Sequence, residues 1–280
     1  MKRILTIQDI SCVGKCSLTV ALPVISALGL ETAILPTAVL STHTGFRNFS
    51  FLDLTDEIEK ITAVWKKENI SFDGIYTGFL GSFRQLNIIS RLFDEFKGNS
   101  PLILVDPCMG DNGKLYPGFD ADFVKAMSEF CKKAEIITPN ITEASFMCGL
   151  EYKDSGKYDK EYIDKILKTL SKFGAKKIVL KGISYTGDDC GVIAYDTNTK
   201  EKTEYFHELL PLKTSGTGDI FASVLFGSLV LGSSIDVSIR LAADFVLESI
   251  KSTLADKDRT HYGVQFEKHL AKLGTFKISY

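Results

Sequence analysis

An α/β fold built on a mostly parallel sheet is predicted by three observations on this sequence. Short β-rich runs alternate with helical patterns of about 10–15 residues almost from end to end, the arrangement that builds βαβ units. Runs such as Leu102-Ile103-Leu104-Val105 are apolar throughout, as strands covered on both faces must be. No linker, internal repeat or low-complexity tract divides the chain, so residues 1–280 read as one domain with helices on both faces of the sheet.

The elements follow in order. Residues 2–7 form a buried strand, and 17–28 a helix that Gly29 closes. Residues 32–39 return as a strand. A helix over 54–68 begins at Asp53 or Thr55, both good capping types. Strand 73–76 leads to helix 82–96, which Gly98 ends, and the apolar strand 102–105 to a loop and helix 121–132. Residues 135–138 are a strand running into a helix that Asn140 caps. An amphipathic helix over 160–173 precedes strand 177–180. Residues 192–195 and 203–206 flank the turn Asp196-Thr197-Asn198-Thr199 as an antiparallel hairpin. Helices over 219–231, 235–254 and 264–273 complete the chain.

Composition narrows the function. Of 280 residues, 45% are hydrophobic and 24% charged, enough for a large core, and the formal net charge of −2 gives no footprint for nucleic acid or an anionic membrane. Lys2-Arg3 before Ile4-Leu5 resembles the opening of a signal peptide, but Gln8, Asp9 and Lys15 interrupt the apolar region. No apolar stretch approaches the roughly 20 residues of a membrane span, so a cytoplasmic protein is expected. The cysteines (Cys12, Cys16, Cys108, Cys131, Cys148, Cys190) show neither a CxxC pair nor zinc spacing and read as core or loop residues, with Cys12 and Cys16 near a suspected pocket.

Familiar nucleotide motifs fail. Gly14-Lys15 resembles the end of a P-loop, but Cys16 replaces the Mg²⁺-binding hydroxyl and Asp9 stands where the first glycine belongs. Ser215-Gly216-Thr217-Gly218-Asp219 supplies another phosphate site, because it precedes the apolar helix Ile220-Phe221-Ala222-Ser223-Val224-Leu225-Phe226. A helix N-terminus presents unpaired N–H groups and a partial positive charge, and small residues let an anion reach the backbone. Asp219, in the first turn, then sits beside a bound γ-phosphate and takes the proton of an attacking hydroxyl. The plainer reading is a glycine turn with Asp as cap.

Carboxylates stand at two further strand ends. One strand ends in Asp106-Pro107-Cys108-Met109-Gly110-Asp111, the next in Thr138-Pro139-Asn140-Ile141-Thr142-Glu143. Carboxylates near phosphates hold Mg²⁺, directly or through water. Asn140 and Glu143 also have the spacing of a capping box, and both readings stay open. A third strand ends Leu180-Lys181-Gly182, where Lys181 is either a cation for phosphate or a solvated lysine.

In their order and spacing these motifs resemble the ribokinase-like superfamily, and within it the pyridoxal kinase group. Ile7-Gln8, Ser41-Thr42-His43-Thr44 and Tyr76-Thr77-Gly78-Phe79-Leu80-Gly81-Ser82 join the three above, so the resemblance covers nearly the whole chain. It implies a three-layer sandwich without a large lid domain and transfer of the ATP γ-phosphate to the 5′-hydroxymethyl group of pyridoxal, pyridoxine or pyridoxamine in vitamin B6 salvage. Asp219 would be the base, and the backbone of Gly216, Thr217 and Gly218 the anion hole. Thr138, Asn140, Lys181, Gly182 and Ser215 would touch ATP. Asp106, Glu143 and Asp111 would organise Mg²⁺ and a monovalent cation such as K⁺. Asp9, His43, Thr44 and Phe79 would meet the pyridine ring, while His207, His261 and His269 are left as structural or solvent-facing. The family also implies a homodimer. One departure is Asp9, where many pyridoxal kinases have Ser. A hydroxymethylpyrimidine kinase and a non-catalytic nucleotide- or vitamin-binding protein are the alternatives.

Overall fold

The computed structural model describes residues 1–96, 101–212 and 214–276. In chain order its elements are β1 (Arg3–Val13), α1 (Leu18–Ala27), β2 (Glu31–Thr42), β3 (Phe51–Asp53), α2 (Thr55–Lys67), β4 (Gly74–Thr77) and α3 (Phe83–Phe96). They continue with β5 (Leu102–Val105), β6 (Gly110–Asp111), β7 (Lys114–Leu115), α4 (Ala121–Cys131), β8 (Ile136–Ile137), α5 (Ile141–Met147) and α6 (Lys160–Leu170). β9 (Lys177–Ile183), β10 (Asp189–Asp196), β11 (Lys202–Glu208), α7 (Thr217–Leu231), α8 (Ile235–Ala255) and α9 (Leu270–Gly274) complete the set. Nine of these strands belong to a mostly parallel sheet, and β6 and β7 form a separate small hairpin. The expected α/β class is what the chain adopts. Gly98, expected to end α3, lies outside the described residues.

The chain forms two compact units, one of residues 1–102 and 210–280, the other of residues 103–209. In the first, strand order is β4-β1-β2-β3; β1 pairs in parallel with both β4 and β2, while β3 joins β2 antiparallel. Ile4, Leu5 and Ile7 of β1 are fully buried, each contributing about 1.5–3 kcal/mol. The same strand buries Thr6, Gln8 and Asp9, which costs stability unless they are hydrogen-bonded. Gln8 Nε2 accordingly donates to Thr6 Oγ1 at 2.8 Å. α7 is apolar almost all round, and its residues 219–228 are buried without exception, the mark of a central helix.

In the second unit the order is β11-β10-β9-β8-β5, with β5, β8 and β9 parallel and β10 and β11 added antiparallel. The predicted hairpin is thus present, longer than its apolar centre suggested. α6 lays Ile163, Ile166, Leu167 and Leu170 inward at helical spacing. In each unit three adjacent parallel strands end side by side, and ligands of such sheets bind beyond those carboxyl ends.

Candidate active site

In the first unit the key side chains emerge from the ends of β1, β2 and β4. The register of β1 against β2 shifts after Gln8: Gln8 pairs with Pro36 but Ile10 with Val39. Asp9 therefore faces two residues, Thr37 and Ala38, in a bulge of the kind that re-aims a side chain. It is only 5% exposed. Ser17 Oγ donates to its Oδ1 at 2.6 Å and Ser11 Oγ to its Oδ2 at 3.2 Å. Burial pushes the Asp9 carboxyl above its ordinary range, and the two hydroxyls offset this only in part.

Asp219 is the third residue of α7 and is buried. The backbone N–H of Ser17 donates to its Oδ2 at 2.9 Å. Gly216 precedes the helix at φ 83°, and a Cβ there would lie 1.8 Å from the carbonyl oxygen of Lys15. Only glycine lets the 14–17 loop meet the start of α7, whose first N–H groups face no intrahelical acceptor. Burial, and after it the Asp219 charge, pushes the Cys16 thiol up to about 12, so it stays protonated near neutrality. Cys12 is exposed.

His43 is buried just past the end of β2. Its ring lies between two glycines: a Cβ on Gly14 would fall 2.3 Å from Cδ2, and one on Gly45 2.8 Å from Cε1. The Gly45 N–H donates to Nδ1 at 3.1 Å, which puts the ring proton on Nε2. Burial holds the His43 pKa below its usual value, so the ring is neutral at pH 7. Phe46 packs edge-on to it at 4.8 Å, and His261 and Tyr262 pack on Phe46 at 4.9 and 5.0 Å. His261, read from sequence as structural, is therefore part of the packing around His43. Phe79 is half-buried after β4, while Thr44 and Ser215 are exposed. His269 meets Ser252 Oγ at 2.8 Å and His207 the Glu208 carbonyl, both structural roles.

In the second unit β5, β8 and β9 bring Asp106, Glu143 and Lys181 together. Lys181 Nζ donates to both oxygens of Asp106, at 2.8 and 2.6 Å. Lys181 is thus no solvated lysine: its ammonium is paired with a carboxylate that is 1% exposed. Burial works against that ammonium, but Asp106 and Glu143 more than offset it and raise its pKa. Burial also pushes Asp106 up, while Lys181 pulls it back.

Glu143 takes the capping-box role. Its N–H donates to Asn140 Oδ1 at 2.9 Å, and its Oε2 accepts from the Asn140 N–H at 2.8 Å. Oε1 accepts from the Met109 N–H at 3.0 Å. Burial, then the neighbouring Asp106, raises the Glu143 carboxyl to about 7. Asn140 Nδ2 donates to the Gly110 carbonyl at 2.8 Å.

Asp111 is exposed, and its carboxylate accepts from the N–H and side chain of Asn112. Among the described residues no group of three His, Cys, Asp or Glu is arranged to hold a metal. Thr138 is fully buried and helps to hold the Asp106 carboxyl down. The donor chemistry still fits a divalent cation brought with phosphates. Two buried carboxyls share one ammonium, which leaves negative charge for a hydrated cation to neutralise. A small cavity of about 110 Å³ is lined by Asp111, Asn140, Thr142, Tyr152 and Gly182.

Sequence reasoning missed Ser11 and Ser17. Ser17 was visible only as the first residue of a helix, and nothing in its identity marks the bonds it makes.

Comparison with known proteins adds three findings. Residues 21–264 match the family model described as phosphomethylpyrimidine kinase. The chain is 26% identical to the pyridoxal kinase of Arabidopsis thaliana over 272 residues, 93% of this chain and 85% of that one. Two solved structures are also close. A Bacteroides thetaiotaomicron protein, provisionally assigned as a phosphomethylpyrimidine kinase and crystallised with pyridoxal, superposes with TM-score 0.93 at 38% identity, covering 100% of this chain and 97% of that one. Pyridoxal kinase from Lactobacillus plantarum gives TM-score 0.87 at 30% identity, covering 98% and 96%.

Proposed function

This chain belongs to the phosphomethylpyrimidine kinase family, in the pyridoxal kinase group of the ribokinase-like superfamily, and from that membership we propose that it phosphorylates the 5′-hydroxymethyl group of a B6 vitamer with Asp219 as general base. Its type is that of an ATP-dependent kinase. The single observation that carries the finer reading is Asp219 itself, buried in the first turn of α7 with one oxygen held by the Ser17 N–H. The hydroxymethyl group loses its proton to Asp219 as its oxygen bonds to the γ-phosphorus and the bond to the ADP oxygen breaks. Backbone N–H groups at 216–218 stabilise the charge on the transferring phosphoryl oxygens.

The vitamer ring lies, in this reading, among Asp9, His43 and Phe79, with the neutral His43 offering its Nε2–H to the ring hydroxyl. Asn140 and Gly182 border the ATP phosphates. Mg²⁺ bound with the nucleotide neutralises phosphate charge. Asp106 and Glu143 would hold its waters, and Lys181 would orient Asp106. A salvage role in the cytoplasm is part of this proposal.

A second reading is favoured by the family's own description: the acceptor is hydroxymethylpyrimidine or its phosphate. One experiment separates them. ATP consumption is measured over pyridoxal, pyridoxine, pyridoxamine, hydroxymethylpyrimidine and its phosphate, with Asp219→Asn alongside. Preference for B6 vitamers is expected, with a 10²- to 10⁴-fold loss of kcat in D219N, about the size of a general-base effect. A preference for pyrimidines moves the substrate assignment to the second reading. A D219N enzyme keeping more than about a tenth of wild-type kcat removes Asp219 as base.

A further inference from the structure

Ser17 is bonded to both Asp9 and Asp219. Its Oγ donates to Asp9 Oδ1 at 2.6 Å, and its backbone N–H donates to Asp219 Oδ2 at 2.9 Å. It does so from a conformation that L-residues seldom adopt: φ is 50° and ψ −133°. Those angles fall at the first central position of a type II′ turn, which glycine dominates because a Cβ is crowded there. Such strain persists only where the surroundings over-determine it, and it is a pointer to function when the pointer starts from an observed outlier.

The two bonds explain how the outlier is held. If either let go, the backbone of a Cβ-bearing residue would relax toward φ below zero and turn its N–H away from Asp219. We infer that Ser17 is a positioning residue: its hydroxyl, anchored on Asp9, holds the strained backbone whose N–H aims the carboxylate of Asp219. This rests on the reading of Asp219 as the base. It adds that the substrate-side carboxylate and the base are mechanically joined through one side chain.

The hydroxyl and the backbone make separable contributions. Ser17→Ala removes the anchor but keeps the Cβ, so the strain is released and the N–H drifts. Ser17→Gly removes the same hydroxyl, but glycine has no strain to release at these angles and keeps the N–H in place. Both variants lose the bond to Asp9, so both should raise the vitamer KM alike. Only S17A should lose kcat, by about 10- to 100-fold, the range expected when a reacting group is misplaced by about 1 Å. S17G should return to within about threefold of wild type.

The test is steady-state kinetics of S17A, S17G and D219N in the full chain, with vitamer and ATP each varied, and thermal melting to establish that each variant is folded. Ser17→Cys, which keeps the Cβ with a weak donor, replaces S17A if that variant does not fold. Equal kcat in S17A and S17G overturns the inference. If both are low the hydroxyl itself matters, and if both match wild type Ser17 is inert. Its failure is distinct from failure of the base assignment, which shows only as activity retained in D219N.

Discussion

Among single residues, Asp9 carries the sharpest test of substrate choice, and the structure gives it a physical form. Asp9 sits at a bulge, buried, with its carboxyl raised by burial and bonded by Ser17 and Ser11. A buried carboxyl whose partners are neutral hydroxyls is in want of a cation. Pyridoxamine carries an ammonium on the carbon attached to ring position 4, whereas pyridoxal does not. A charge-assisted hydrogen bond between that ammonium and Asp9 contributes about 1.5–3 kcal/mol, or roughly tenfold to a hundredfold in kcat/KM. The enzyme is therefore expected to use pyridoxamine at least as well as pyridoxal, and Asp9→Ser to shift the ratio toward pyridoxal. Comparing kcat/KM for each vitamer with both proteins decides it. A ratio that survives the substitution means that Asp9 faces the ring nitrogen or serves the fold alone.

Among elements, α5 shows how a fold feature and a titrating group coincide. Its capping box needs an acceptor at Glu143, yet burial and Asp106 hold that carboxyl at about 7, above its ordinary 4.5. Below about pH 4.5 the group is protonated in both folded and unfolded chains and has no effect. Between about 4.5 and 7 the folded chain binds the proton more tightly, so the group lowers stability as pH rises, by at most about 3 kcal/mol. Glu143→Gln keeps the shape of the box and removes the titration. Urea unfolding of the ligand-free protein at pH 5 and pH 8 should show wild type losing more stability than E143Q over that interval; parallel losses would mean that Glu143 is ionised throughout. The helices and apolar strands were legible beforehand because their periodicity is strong, and the Asn140–Glu143 box because its spacing is a local rule. What was not legible has local causes. β1 continues to Val13, past the apolar run that ends at Ile7, because Ile10, Ser11 and Val13 go on pairing with β2. β3 is three exposed residues with no alternation. The last predicted helix divides into a 3₁₀ turn at Phe266–His269 and α9. The order of the motifs singled out the candidate residues, but not that Lys181 is tied to Asp106, since both readings of a lysine after a strand look alike in sequence.

For the whole molecule, the division into two units falls between Leu102 and Ile103, inside β5, rather than in a linker, and one folding domain over 1–280 remains the expectation. Its outer surface carries an exposed apolar edge. Phe49, Phe51 and Leu52 are 45%, 53% and 60% exposed at and beside β3, an edge strand paired only to β2. An apolar edge is a template for pairing with another chain unless it is charged or covered. Asp53 gives no such protection, because its carboxylate turns back to accept from Thr55. A formal net charge of −2 adds little repulsion between copies. Two copies meeting across a twofold axis at this edge would cover the patch on both at once, since such an interface is self-complementary. The protein is accordingly expected to sediment at twice the chain mass at micromolar concentration. The double substitution Phe51→Lys, Leu52→Lys should give monomers without changing kcat by more than about twofold, because surface changes of this kind cost the fold little. Sedimentation velocity on both proteins, beside the kinetic assay, carries the test. A wild-type monomer, or a double variant that stays dimeric, would show that the β3 edge is not where copies of this chain meet.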